Sequence, residues 1–537
     1  MKYIIAITLL WLVQISNAQS VWKKFYSRPL HTSFSYQVKE TYDKGYLLEA
    51  ADKGLNGSYP WYGWIVKTDI NGNKLWDKLM GGPNISDFTC LNVTSDGGFI
   101  VGGRYDISGD YMRDALVMKF NSCAEPEWCS FLPETNNDES IIFPAIYELP
   151  DGGYICERNK PSDFDHNRWS LIKLRPSGEV EWINYYDLNT SWMSQLDFNL
   201  NLTSDTCFLV TSLVWDSVNT EGLIRQMPLW YKVGQGGNLL WEREWKLTQE
   251  RTPAEARVTI EDKHGNYYTG GMMLQPLGYS FLYKLSHDGD TIASYRINDN
   301  PGTVVSLVHT LNYIDDTTFL TGTQYVIDND SYWSINKTDT LGNIKKQVYE
   351  KEKVLFTNSL ITSDNKILTL GVSFVDYPAY PDMVALYKFN SNLEYDNIYT
   401  LPRTYDSLCP HPIVSDTIPM PGICHYVSLP ELEHAADVIQ LKIYPNPASQ
   451  YTTVEIPEYS VNVTNSTYIS QQQFRPLNGE VQLQFINMQG QKMLEKVFDA
   501  SERNQVLYIE HLVPGMYMLQ LTQKGKVVAQ GKMMVGR

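Results

Sequence analysis

The residues best suited to chemistry lie between apolar runs, in "KGLNGSYPWYGW", "RYDISGDYMRD", "RNKPSDFDHNRW", "WDSVNTEGLIRQMPLW", "MMLQPLGYS", "YVIDNDSYW" and "FVDYPAYPDM". Each mixes aromatic rings with polar or acidic residues, which suits sugars: planes for the apolar face of a ring and acceptors for its hydroxyls. Trp61, Tyr111, Trp169, Trp215, Tyr332 and Tyr380 are therefore candidate ligand-binding residues. The alternative is that they pack these segments onto the protein body, with the acids keeping them soluble. No catalytic residue can be named, because the chain has no G-x-S-x-G, H-E-x-x-H or P-loop. A glycosidase would need two carboxylates about 5 to 10 Å apart, and the acidic segments could supply them. The stretch "DFDHN" begins like a calcium loop at Asp163, Asp165 and Asn167. Arg168 then stands where glycine is required and Leu174 where the bidentate glutamate belongs, so no metal and no cofactor are expected.

Seven cysteines are present, an odd number. Cys123 and Cys129 flank a short turn and Cys409 and Cys424 bracket a Pro-rich stretch, so two bridges are expected, Cys123 to Cys129 and Cys409 to Cys424. Cys90, Cys156 and Cys207 lie in strand-like apolar runs and read as buried thiols. No CxxC pair and no Cys/His spacing suited to zinc occurs.

The elements that would position these segments repeat. "WIVKTDINGNKLW" returns in altered forms around Lys67, Lys119, Lys173, Lys232, Lys284, Lys337 and Lys388, at steps of 52, 54, 59, 52, 53 and 51 residues. Each unit holds four apolar runs of strand length, in the second unit "FTCLNVT", "GFIVGG", "ALVMKF" and "EWCSFL", joined by turns such as "SDGG". Four short strands per repeat and seven repeats predict an all-β, seven-bladed propeller over residues 19–401. The two tight turns of a blade then fall on one face of the disc. The longer segments quoted first fall on the other. Trp76, Trp128, Trp182 and Trp241 are expected between blades, and the repeated lysine is expected to lay its stem on the sheet with its ammonium solvated. "VWKKFYS" at 21–27 is a candidate closing strand of the last blade, beside or instead of "EYDNIYT".

The repeat resembles kelch-like propellers in length, Gly pairs and Trp, and the hairpin resembles the repeat of quinone-dependent dehydrogenases. It is most similar to the propellers of secreted bacterial surface proteins, which implies a binding scaffold. All fourteen tryptophans precede residue 334, and 402–439 reads as a Pro-rich linker. From 440 to 537 there are nine Lys plus Arg against seven Asp plus Glu, a balance of +2, so the remainder carries -19 of the total -17. Two independent domains follow. "KIYPNPAS", "VQLQFINMQGQKML", "LVPGMYMLQL" and the terminal "GKMMVGR" resemble the type A C-terminal sorting domain of the type IX secretion system. The resemblance implies a small immunoglobulin-like β-sandwich over 440–537, recognised by an outer-membrane translocon. It carries the signal positions onto Tyr444, Pro445, Asn446, Pro447, Gly490, Gly515 and Tyr517.

"MKYIIAITLLWLVQISNAQS" reads as a secretory signal peptide with cleavage expected after Ala18. The net charge argues against nucleic acid as a partner, and no other apolar run is long enough for a transmembrane span. The expected product is a secreted or surface binding protein of a Gram-negative bacterium, carrying a glycan or protein ligand on its loop face. The alternative is a propeller enzyme, a glycosidase or lyase.

Overall fold

The computed structural model describes residues 22–536 except 30, 55–60, 82–85, 106–113, 133–144, 160–167, 188–198, 217–224, 246–253, 274–277, 298–304, 328–329, 351–353, 375–381, 420–423, 427–438, 457, 465–469, 477–479, 488–491 and 524–525. The leader at 1–18 and the calcium-like loop at 163–167 lie outside the described residues. The chain divides into two compact units, 1–427 and 428–537.

The first unit is a seven-bladed propeller. Blade 1 holds His31–Glu40, Tyr46–Gly54, Trp61–Thr68 and Lys74–Gly81; blade 2 holds Ser86–Val93, Phe99–Tyr105, Asp114–Phe120 and Pro126–Leu132. Blades 3 to 6 repeat the antiparallel pattern from Ile146 to Glu350. Blade 7 takes Val354–Ile361, Ile367–Ser373 and Met383–Phe389 from the C-terminal side, and its fourth strand is Lys23–Tyr26 from the N-terminal side. The N-terminal strand therefore closes the ring, while "EYDNIYT" contributes only an isolated bridge at Tyr395. Closure joins what would otherwise be two exposed sheet edges.

The repeated turn phrase is a lock made of three contacts. In "TSDGG", Thr94 Oγ1 donates to Asp96 Oδ1, and Asp96 also accepts the Gly98 amide, which holds the turn. Ser95 donates its amide and hydroxyl to Glu148 of blade 3, and the same reach joins Ser204 to Glu261 and Ser363 to Glu40. The aspartate finally receives the repeated lysine from the third strand: Lys119 to Asp96, Lys173 to Asp151, Lys232 to Asp205 and Lys67 to Asp43, each at 2.7 Å. In four of the seven repeats the ammonium is thus not solvated, which corrects the expectation from sequence, while Lys337 keeps an exposed bond to Ser391 O. Lys67, Lys119, Lys232 and Lys388 are 2% exposed, and a buried ammonium requires a carboxylate beside it. Burial pushes the Asp205 carboxyl upward, but the bonds from Lys232 and Thr203 outweigh it and hold the group at about 2.

The tryptophans pack blade to blade as expected. The second turn of blade 3 has Gly178 at φ +84°, where a Cβ would stand 2.4 Å from the Trp128 ring of blade 2. Trp241 covers Gly289 of blade 5 in the same way, and Trp22 covers Gly72 of blade 1. Glycine is needed there both for its positive φ and for the close approach of the ring.

The described residues of 402–426 are not a linker. They continue a strap that crosses the tight-turn face from blade 7 toward blade 2. Tyr399 exchanges two hydrogen bonds with Asn71, Asp406 accepts Trp76 Nε1 and donates its amide to Asp43, and the Leu408 amide donates to Tyr42 Oη. Asp416–Pro419 then adds a parallel strand outside blade 1, and Cys424–Tyr426 adds one outside blade 2. Two disulfides fix it, Cys123–Cys409 and Cys129–Cys424. The pairing expected from sequence is thereby corrected. Cys129 sits in the outer strand of blade 2, register-paired with Cys424, so proximity in sequence to Cys123 gives it no access to that thiol. Cys90 and Cys156 are buried outside either disulfide, whereas Cys207, also outside them, is only half-buried.

The second unit is a sandwich of two sheets around Val454, Leu483, Phe485, Ile509, Leu519 and Leu521. Glu458–Thr464 and Ser470–Pro476 pair as a separate antiparallel hairpin.

Candidate functional site

The first strand of each blade lies toward the axis. Neighbouring first strands are bonded directly: Gln37 accepts the Leu91 amide, and Asn358 accepts the Val38 amide. These strands run from the loop face to the tight-turn face, so residues near their beginnings surround the loop-face end of the axis. Five of them carry a β-bulge at one and the same repeat position. The register shifts fall between Ser35 and Gln37, Phe88 and Cys90, Ala256 and Val258, Val308 and Thr310, and Phe356 and Asn358. A bulge breaks the alternation of side chains and re-aims the extra residue. The residues so delivered are Tyr36, Thr89, Arg257, His309 and Thr357. All five keep solvent access beside buried neighbours, Tyr36 most of all at 42%.

Their chemistry differs from blade to blade. Arg257 pairs with Glu255 at 2.6 Å on blade 5. On blade 6, His309 Nε2 stands 3.2 Å from Gln324 Oε1, with the Trp333 ring 4.8 Å away centroid to centroid. Desolvation and the nearby Arg257 charge lower the imidazole to about 4 against the Gln324 bond, so the ring is neutral at pH 7. Its nitrogens then offer one donor and one acceptor. On blade 1, desolvation raises the Tyr36 phenol to about 12, with Glu49 and Asp87 adding to the effect, so it stays a protonated donor and acceptor.

Charged groups gather behind Tyr36, between blades 7, 1 and 2. Asp87 is held by Arg104 through both carboxylate oxygens, Nε at 2.8 Å and Nη2. Asp52 accepts Arg28 at 2.7 Å and Ser33 at 2.9 Å, and the His31 Nδ1 atom lies 2.9 Å from the same carboxylate. Lys53 Nζ lies 4.3 Å from the Phe34 ring and 4.4 Å from the Trp61 ring. Glu49 and Glu157 occupy equivalent second-strand positions in blades 1 and 3, where blade 2 has Gly102. Both are fully buried, and neither carboxyl has a side-chain partner among the described residues. Burial pushes both well above the usual carboxylate range, and for Glu49 the Asp87 charge adds to this.

Of the aromatic candidates read from sequence, Trp61 opens the third strand of blade 1, partly exposed under Lys53. Trp169 pairs in register with Asn159 and Tyr186, Trp215 with Gln226 and Tyr332 with Tyr325, so these three are strand residues at the loop-face ends of their blades. Tyr111 and Tyr380 lie outside the described residues. The bulge residues were missed, although a polar residue interrupts each apolar run in "FSYQV", "EARVT" and "LVHTL".

In the second unit, Asn446 acts as a side-chain extension of the sheet. Its Nδ2 donates to Lys532 O at 2.8 Å and its Oδ1 accepts the Met534 amide at 2.8 Å. Tyr517 is buried and donates its hydroxyl to Val513 O at 2.7 Å; Gly515 opens that strand, and Tyr444 is half exposed. Gly490 lies outside the described residues. Residues 442–536 match the model of the secretion system C-terminal sorting domain. The second unit is a sorting domain. It directs type IX export, so the protein is destined for the cell surface or the medium.

No curated protein matches the sequence. Solved structures are similar at low identity. A polysaccharide lyase, an ulvan lyase bound to a GlcA(1-4)Rha3S unit, is 9% identical with 68% of this chain and 96% of that chain covered, at a TM-score of 0.45. An α-L-arabinofuranosidase of Fusarium graminearum in complex with arabinobiose is 12% identical over 57% and 97%, at 0.38. A protein of unknown function from Dyadobacter fermentans is 10% identical over 69% and 98%, at 0.41.

Proposed function

We propose that the exported propeller binds a carbohydrate or protein ligand at the loop-face end of its axis, while the sorting domain engages the translocon through Tyr444, Pro445, Asn446, Pro447, Gly490, Gly515 and Tyr517. The recurrence of one bulge in five innermost strands carries the binding reading. A scaffold strand needs no bulge, and each one gives up ladder regularity to present a side chain at the axis. The residues presented, a phenol, a guanidinium with its carboxylate, a neutral imidazole and two threonines, suit hydroxyl-rich or mixed polar ligands. Trp61, Tyr111, Trp169, Trp215, Tyr332 and Tyr380 would extend that surface outward along the loops.

The test is retention of the full chain on immobilised polysaccharides and on candidate partner proteins, compared with a Tyr36→Ala, Arg257→Gln, His309→Ala triple variant. Each lost anchor typically costs about 1 kcal/mol or more, so the triple variant should bind at least about a hundredfold more weakly. A ligand held equally by both proteins would refute the placement. One observation favours an enzyme instead: burial raises the Glu49 carboxyl well above the usual carboxylate range beside Asp87, which Arg104 engages, and two neighbouring carboxyls in unlike surroundings suit acid–base work. Release of new reducing ends or unsaturated sugars would establish turnover; retention without products would establish binding.

A further inference from the structure

The strap brings together residues that the sequence keeps almost 290 positions apart. Cys123 lies in the second turn of blade 2, and Cys409 and His411 lie on the strap. One ligand atom from each of the three falls within 4.8 Å of the others. His411 Nδ1 stands 3.6 Å from Cys409 Sγ, and its other nitrogen, Nε2, stands 3.5 Å from Glu125 Oε1. A tetrahedral zinc ion with bonds of about 2.0 to 2.3 Å holds its donor atoms roughly 3.3 to 3.8 Å apart, the separation His411 and Cys409 already have. A metal-bound histidine commonly gives its second nitrogen to a carboxylate. Glu125 stands in that place. The other disulfide, Cys129–Cys424, has no such histidine among the described residues.

We propose that, when the Cys123–Cys409 bond is reduced, Cys123, Cys409 and His411 hold a zinc ion, with Glu125 orienting the imidazole and water completing the tetrahedron. A dithiol reductant supplies two electrons, closing to its own disulfide, and its two protons pass to the separated sulfurs. Zinc then displaces those protons to solvent as the thiolates bind. The two sulfurs part from bonding distance to about 3.7 Å, a movement within reach of side-chain rotation. The strap is thereby clamped to blade 2 in either redox state, by a covalent bond when oxidised and by the metal when reduced.

The full chain carrying Cys129→Ser, Cys424→Ser and Cys207→Ser leaves one bridge and removes the half-buried free thiol. Reduced by a phosphine without oxygen, the phosphine taking its oxygen from water, it is titrated with zinc against a chromophoric chelator. One zinc per reduced chain is expected and none per oxidised chain. His411→Ala should weaken binding tenfold or more, and Glu125→Gln about tenfold. Cobalt in place of zinc should give a thiolate charge-transfer band that Cys409→Ser abolishes. The otherwise wild-type chain with and without His411→Ala repeats the comparison without the serine substitutions. Equal uptake by oxidised and reduced chains, unaltered affinity in His411→Ala, or absence of the cobalt band would each overturn the proposal.

Discussion

A chain ended after residue 427 is expected to fold as a closed propeller and to accumulate in the periplasm, while the full chain reaches the cell surface or the medium. The expectation follows from the position of the unit boundary. Everything that seals the disc lies before it: the closing strand Lys23–Tyr26, the strap, and both disulfides. The sorting domain has its own buried core. Removal should therefore be nearly all-or-none for export and close to neutral for propeller stability, read by cell fractionation and by thermal melting of the two purified proteins. Surface delivery of the shortened chain would sink the export role. Loss of its folded structure would show that the propeller depends on its C-terminal neighbour.

Replacing Glu157 by methionine is expected to stabilise the propeller at neutral pH, by an amount that grows as the solution becomes more alkaline. The folded carboxyl is held well above its ordinary value by burial, whereas the unfolded chain releases that proton near the ordinary value. Sign and window follow from linkage: a group whose pKa is raised by folding costs nothing below its unfolded pKa, and stability falls as pH rises from there toward the folded pKa. The slope in that interval is about 1.4 kcal/mol per pH unit for one carboxyl. Glu157→Gln should remove the slope while keeping the shape, and Glu49→Gln should remove a similar slope in blade 1. Denaturant melts from pH 5 to 8 measure it. Parallel stability curves for wild type and Glu157→Gln would show that the carboxyl is ionised inside the fold.

The architecture was legible because blades impose a period. Lysines spaced at 51 to 59 residues and glycine-bearing turns are local signals, and each repeat restates them. The tryptophan contacts were legible for the same reason, since Trp128 meets Gly178 about one repeat later. The fate of the lysine ammonium was not, because the carboxylate that receives Lys119 is Asp96, in the turn before the second strand of the blade, and burial depends on the neighbouring blade. The disulfides were misassigned through a preference for nearby partners. Cys123 and Cys409 lie 286 residues apart, and only the course of the strap brings them together. The site was the least legible part. Bulges are register events between two strands, and a single strand such as "VSLVHTLNYID" shows only that His309 interrupts an apolar run.

The placement of the ligand site at the bulge-lined end of the axis is tested most directly by hydroxyl-radical footprinting of the full chain with and without a polysaccharide that retains it. The radical oxidises exposed aromatic and aliphatic side chains wherever solvent reaches them, and the two faces of the disc carry distinct reporters. Tyr36 and Trp61 report on the loop-face end, whereas Tyr42 and Leu408 are exposed on the tight-turn face where the strap crosses. The bound chain is expected to show several-fold slower oxidation at Tyr36 and Trp61, with Tyr42 and Leu408 unchanged. Protection of Tyr42 and Leu408, with Tyr36 oxidised as fast as in the free chain, would contradict the account.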